Sequence, residues 1–306
     1  MFEFIVGLYG EPVAPFGVLN PPGSGTLADV MRKDGFVIFG DIPVREQNLF
    51  LNSFLRHPFT AEDYWVSPFE SESRDRDSNW SMFADEVVSE RRYTYRSIVP
   101  EMLAKSFSAN IGYRIAVPKG AVFYRARIHP QDNWFRPLTA KELGPPPPTA
   151  ARAGRANSSG IPVLYTAKEP ETAVAEVRPY LGAFVSIGRC TVKDDIFVID
   201  LPASLDLAGK DPCDDSLRTE LELAALTAEL DLAFSEPVGP SIPERDYAPT
   251  QIAAELLRAA GFMGIRYRSE LRKGGFNYVF FDPRDLLVEF DSSVRIQKIE
   301  IKTEPN

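Results

Sequence analysis

From Tyr113 to the end of the chain, short β-rich runs and helical runs follow one another without regular alternation, and this rhythm limits the fold. Regular strand–helix alternation would build a doubly wound parallel sheet, whereas here strands outnumber helices and cluster. The expected fold is α+β, with mixed, largely antiparallel sheets and flanking helices. RIAVPKGAVFYRARI (114–128) reads as extended chain broken at Lys119-Gly120. A short apolar strand follows at Val163–Thr166. AFVSIGRCTV and DIFVIDL flank Lys193–Asp195 and predict a hairpin. Further strands are expected near Ile265–Tyr267 and Tyr278–Phe281, and the alternation of VRIQKIEIKT from Val294 predicts a final half-buried strand.

Helical spacing is clearest in five places. Trp80, Phe83, Val87 and Val88 predict a helix over 80–94, and Ile98, Met102, Leu103 and Phe107 one over 97–110. Pro170 suits a first helical turn, Ala173, Val174 and Val177 form a stripe, and Pro179 ends that helix. Residues 215–232 are rich in Leu, Ala and Glu, and a punctuated helix runs from Pro249 to just before Gly261. Between Asp132 and Gly160 lies a long irregular stretch with Pro145–Pro148, which cannot enter a helix. Loops of this length in a compact domain are usually functional or disordered. Residues 1–60 read as turns and short strands among prolines and glycines.

Charge and composition exclude several functions. The chain carries a net charge of −9 and lacks the concentrated basic surface that nucleic-acid binding requires. The stretch Glu70–Asp77 mixes both signs and reads as a solvated loop. No apolar run approaches the ~20 residues of a membrane span, and the N-terminus lacks the basic region of a secretory signal. Cys190 and Cys213 form no metal spacing, which fits a reducing cytoplasm. His57 and His129 lie far apart, so no histidine triad or metal cluster is expected, and both read as structural or surface residues. Neither a phosphate-binding Gly-x-x-x-x-Gly-Lys loop nor a Gly-x-Ser-x-Gly elbow occurs. Any chemistry rests on Arg, Glu, Tyr and Ser.

One segment then stands out: GRANSSGIPVLYTAKEPETAVAEVRP, residues 154–179. It contains Arg155, Asn157, Gly160, Pro162, Leu164, Tyr165 and Glu176. These elements, Arg-x-Asn, Gly-x-Pro-x-Leu-Tyr and a Glu on the following helix, resemble the RES domain family. Phe123-Tyr124-Arg125-Ala126 is similar to the family's opening strand. GFMGIRYRSELRKGGFNYVFF resembles its closing block, with Ser269 after one strand and Asn277 before the last apolar run. The resemblance covers residues 121–290. It divides the chain into an N-terminal extension of unassigned role (1–112) and a RES domain (113–306).

The resemblance implies a fold like that of ADP-ribosylating toxins and degradation of NAD⁺, with water or inorganic phosphate as acceptor. It also implies a toxin restrained by an antitoxin protein. NAD⁺ is then substrate and no other cofactor is implied; a homo-oligomer is compatible with the sequence. Cleavage of the nicotinamide–ribose bond develops oxocarbenium-like charge on the ribose, which the carboxylate of Glu176 suits. Arg155 and Arg125 suit the diphosphate, Tyr165 or Tyr124 the cationic nicotinamide ring, and Ser269 a phosphate or ribose hydroxyl. Arg155, Tyr165 and Glu176 are thus the expected catalytic residues; Tyr124, Arg125, Ser269 and Asn277 are expected to bind substrate. Asn157 is expected to shape its loop. Two rival functions are ADP-ribosyl transfer to a macromolecule and a non-catalytic binding module. The Glu220-Leu221-Glu222 motif that would favour transfer falls in an expected helix, where alternate residues point apart.

Overall fold

The computed structural model describes residues 25–33, 43–52, 55, 60–62, 65, 79–109, 113–130, 136–203, 215–236 and 243–299. The chain forms two compact units, Met1–Met102 with Pro202–Leu232, and Leu103–Leu201 with Ala233–Asn306. Residues 202–232 therefore group with the N-terminal segment, although they follow the boundary drawn at 112/113. His57, Cys213 and the mixed-charge loop at 70–77 lie outside the described residues.

In the first unit, α1 (Leu27–Lys33) and α2 (Val44–Leu51) contribute buried Leu27, Met31 and Leu51. The Asn48 side chain accepts from the Ala28 N–H at 3.0 Å and ties these helices together. Helix α3 (Asn79–Asp85) buries Trp80 and Phe83, as their spacing predicts. The regular helix stops sooner than expected and widens into a π-turn, Glu86–Glu90. Its end is fixed when the Arg91 N–H donates to the Glu86 carbonyl at 2.6 Å. The Glu86 carboxylate then accepts from the Arg96 and Ser97 N–H groups, turning the chain toward α4 (Val99–Ala109).

The second unit is built on one eight-stranded sheet of described residues, in the order β1-β5-β6-β7-β3-β2-β4-β8. Its strands are β1 (Arg114–Val117), β2 (Val122–Ile128), β3 (Leu164–Ala167) and β4 (Phe184–Val192). They continue with β5 (Ile196–Asp200), β6 (Gly264–Arg268), β7 (Phe276–Phe280) and β8 (Leu286–Arg295). Only β5 and β6 pair in parallel, so the sheet is mixed and largely antiparallel, as the rhythm of the sequence implies. The helices of this unit are α5 (Ala140–Leu143), α6 (Pro170–Glu176), the end of α7 (Asp215–Ser235) and α8 (Ala248–Ala259).

Three expectations are corrected. Residues 1–60 read as turns and short strands, yet their described part holds the helices α1 and α2. β4 and β5 form no hairpin: β4 pairs with β2 and β8, while β5 pairs with β1 and β6. Both edges of each strand are satisfied by partners distant in sequence. The final strand is β8, which ends at Arg295 opposite Phe184, where its partner β4 begins. Beyond it the Ile296 N–H still donates to the Ala183 carbonyl and its carbonyl accepts from the Gly182 N–H, both at 2.9 Å. Residues 297–299 lie outside any strand despite their alternation; those from 300 onward lie outside the described residues.

Each sheet face carries a core. Phe123, Leu164, Cys190, Val198, Tyr278 and Phe280 cluster on one side, and Ala126, Ala167, Ala173 and Val185 on the α6 side. Helix α5 starts with a capping box in which Thr139 and Glu142 satisfy each other's backbone N–H. Leu143 at its end presses on Gly188, where a Cβ would meet the Leu143 Cβ at 3.2 Å. The chain enters α5 from a buried pin: the Ser186 hydroxyl lies 2.7 Å from His129 Nε2 and accepts from the Leu138 N–H at 3.0 Å. His129 is a structural residue, as expected.

Candidate active site

Helix α6 is short because of its sequence. Pro170 occupies the first turn, and Pro179 disfavours helical geometry at Arg178, which adopts a left-handed φ of 46°. Glu176 is therefore the last residue of the helix, not a mid-helix position on a longer one. Its rigidity comes from the sheet. Glu176 Oε1 accepts from the Ser269 hydroxyl at 2.6 Å and from Asn277 Nδ2 at 2.7 Å. Ser269 and Asn277 are buried, whereas the Glu176 side chain is exposed. Two donors on one oxygen fix the carboxylate's orientation and leave Oε2 without a hydrogen-bond partner among the described residues.

The segment between Ser269 and Asn277 is held against α6. The Arg272 N–H donates to Ser269 Oγ at 3.2 Å, and Arg272 Nη1 donates to Thr172 Oγ1 at 2.9 Å. Thr172 donates in turn to Glu169 at 3.1 Å. Gly275 permits this approach, since a Cβ there would stand 2.7 Å from Thr172 Oγ1.

A second construction surrounds Tyr165 on β3. Its hydroxyl accepts from the Ala156 N–H at 2.9 Å and donates to Asn157 Oδ1 at 3.0 Å. Asn157 Nδ2 donates to the carbonyls of Arg152, Ser158 and Ile161, so Asn157 shapes its loop as expected. From α8, Gln251 Nε2 donates to the carbonyls of Gly154 and Asn157, both at 2.9 Å. Burial pushes the Tyr165 hydroxyl up to about 12. The loop carries Arg155, whose Nη2 is sealed from solvent and has no hydrogen-bond partner.

Beside this loop is a cavity of about 840 Å³. β2 and β3 are paired only at Tyr124↔Ala167, and beyond that position residues of both strands line the opening. Arg125 and Arg127 come from β2, Tyr165 from β3, and Lys141, Arg152 and Pro145–Pro147 from the long irregular stretch. Arg125 Nη1 is sealed without a hydrogen-bond partner. Burial, then repulsion from Arg127, lowers the Arg125 guanidinium to about 10.

The seven predicted site residues thus fall into two groups that meet on β2. Glu176, Ser269 and Asn277 form one hydrogen-bonded cluster. Tyr124 stands on their face of the sheet, since Tyr124↔Ala167 and Ala167↔Asn277 make a row across β2, β3 and β7. Arg125 follows Tyr124 and points the opposite way, as successive strand residues do. Arg125 and Tyr165 both line the cavity where β2 and β3 separate, although by the same alternation Tyr165 shares the face of Ala167. The electrostatic field of Arg155 reaches the Tyr165 hydroxyl. Arg127, Arg152, Gln251 and Arg272 are not legible as site residues. Only the two-residue spacing of Arg125 and Arg127 on a strand could have flagged Arg127; the others act through contacts distant in sequence.

No group of three or more His, Cys, Asp or Glu side chains among the described residues could hold a metal ion. No described helix is long and apolar enough to cross a membrane.

An oriented carboxylate and a cavity lined by cationic side chains thus occur in one mixed-sheet domain. The RES domain family model matches residues 122–298, more than half of the chain, and the chain belongs to that family. No curated protein matches it. Among solved structures, the M. tuberculosis MbcT–MbcA toxin–antitoxin complex aligns at 13% identity with a TM-score of 0.36. That alignment covers 64% of this chain and 92% of the other, a likeness too distant to carry an argument.

Proposed function

We propose that this protein cleaves the nicotinamide–ribose bond of NAD⁺, with water or inorganic phosphate as acceptor. The carrying observation is the Glu176 carboxylate, oriented through Oε1 by Ser269 and Asn277 and open at Oε2. Nicotinamide departs as a neutral molecule, so the reaction needs no general acid at the leaving group. It needs a negative charge near the ribose as oxocarbenium character develops, and a preoriented carboxylate supplies it without reorganising.

In this reading Ser269 and Asn277 position Glu176. Tyr124, on the Glu176 face, packs against the cationic nicotinamide ring. Tyr165 holds the loop that presents Arg155, because its hydroxyl already has a donor and an acceptor. Arg125 and Arg155, each with a sealed nitrogen lacking a partner, grip the diphosphate. The proposal includes a toxin role with a restraining antitoxin, as family resemblance implies.

Purified protein is expected to release nicotinamide from NAD⁺, and Glu176→Ala to abolish release while leaving the melting temperature within a few degrees. Full activity in that variant would sink the mechanism. The ribose-side product with and without phosphate identifies the acceptor. Labelled protein or nucleic acid after incubation with labelled NAD⁺ would favour macromolecular transfer instead.

A further inference from the structure

The cationic cavity carries more charge than a dinucleotide diphosphate requires. Arg136 is neutralised by Glu142, at 2.8 Å. Arg125, Arg127, Lys141 and Arg152 also line the cavity, and none pairs with a carboxylate among the described residues. The NAD⁺ diphosphate brings two negative charges, and the nicotinamide ring is itself cationic.

Arg125 and Arg127 stand on one face of β2, two residues and about 6.6 Å of strand apart. Such like-charged neighbours repel each other, and a bound anion relieves that cost. Arg127 Nη2 donates to the Gly144 carbonyl at 3.3 Å, which leaves other guanidinium donors available. Arg152 is exposed, and its backbone is fixed because its carbonyl accepts from Asn157.

We infer that Arg127 and Arg152 form a second anion subsite that takes a phosphate dianion in addition to the dinucleotide diphosphate. Two sources share this chemistry: the 2′-phosphate of NADP⁺, and free inorganic phosphate. The inference rests on the NAD⁺ reading for its account of Arg125, but it is measured by binding instead of cleavage.

Calorimetry on the Glu176→Gln protein, with NAD⁺, NADP⁺ and inorganic phosphate as separate probes, tests it. If the 2′-phosphate is the source, NADP⁺ binds about tenfold or more tightly than NAD⁺, the range of one charge-assisted contact. If free phosphate is the source, NADP⁺ shows no advantage and phosphate binds alongside NAD⁺. In either case Arg127→Gln and Arg152→Gln each remove most of the effect, and Arg127→Lys retains part of it. Arg152 is exposed, so its variant tests the subsite even if Arg127→Gln fails to fold. The inference is overturned if neither probe shows an effect, or if the effect survives in both glutamine variants. Failure of the NAD⁺ reading would be seen separately, as absent nicotinamide release by the unmutated protein.

Discussion

At the scale of single residues, the carboxylate of Glu176 is engaged on one oxygen only, and its two donors are both neutral. Removing one donor should leave the fold intact but loosen the carboxylate. Asn277→Ala is expected to lower kcat for nicotinamide release about 10- to 100-fold, matching the loss of one hydrogen bond to a charged group. A single-turnover assay checks it; an unchanged rate would show that Ser269 alone suffices. Tyr165 offers a different test. Its folded-state hydroxyl is raised to about 12 from 10.0, so folding favours the protonated form. That contribution, of order 2–3 kcal/mol, is fully present below pH 10 and is lost as pH rises toward 12. Tyr165→Phe should remove this alkaline loss and, by leaving the Ala156 N–H without its acceptor, cost about 1–3 kcal/mol near neutral pH. Cys190, whose thiol burial pushes up to about 12, is common to both proteins, so the difference between their denaturation curves isolates Tyr165.

At the scale of elements, the site depends on how closely α6 approaches the 269–275 segment. Gly275→Ala would set a Cβ 2.7 Å from Thr172 Oγ1 and 2.9 Å from its Cγ2. Thr172 is fully buried and cannot swing away. Urea denaturation of Gly275→Ala should show a loss of about 1–3 kcal/mol, in the range of overpacked sites. A neutral result would mean that α6 shifts freely. The sequence makes α6 itself legible through Pro170, its apolar stripe and Pro179. It does not make legible the contacts of Arg272 or Gln251, which join residues 97 and 100 positions apart. The same limit explains the hairpin misassigned to β4 and β5. Local pattern identifies a strand by its alternation but carries no information on its partner, and both strands pair with distant segments. Glu176, Ser269 and Asn277 could be nominated from family resemblance, while their shared hydrogen bonds become visible only once β7 lies beside β3.

At the scale of the whole molecule, a chain of net charge −9 places Arg125, Arg127 and Arg152, which pair with no carboxylate among the described residues, around one cavity. Such a field concentrates an anionic substrate against the overall charge, and salt weakens it. Raising ionic strength from about 0.05 to about 0.3 M should increase KM for NAD⁺ severalfold while kcat changes little. A salt-independent KM would place the diphosphate elsewhere. The assembly of the carboxylate cluster has a temporal consequence as well. Glu176 receives donors from residues 93 and 101 positions further along the chain. During synthesis, a ribosome-bound fragment that already contains the Arg155 loop and Glu176 still lacks both. On the proposed NAD⁺ reading, the carboxylate gains both donors only after translation has passed Asn277, so a product terminated earlier is expected to release no nicotinamide.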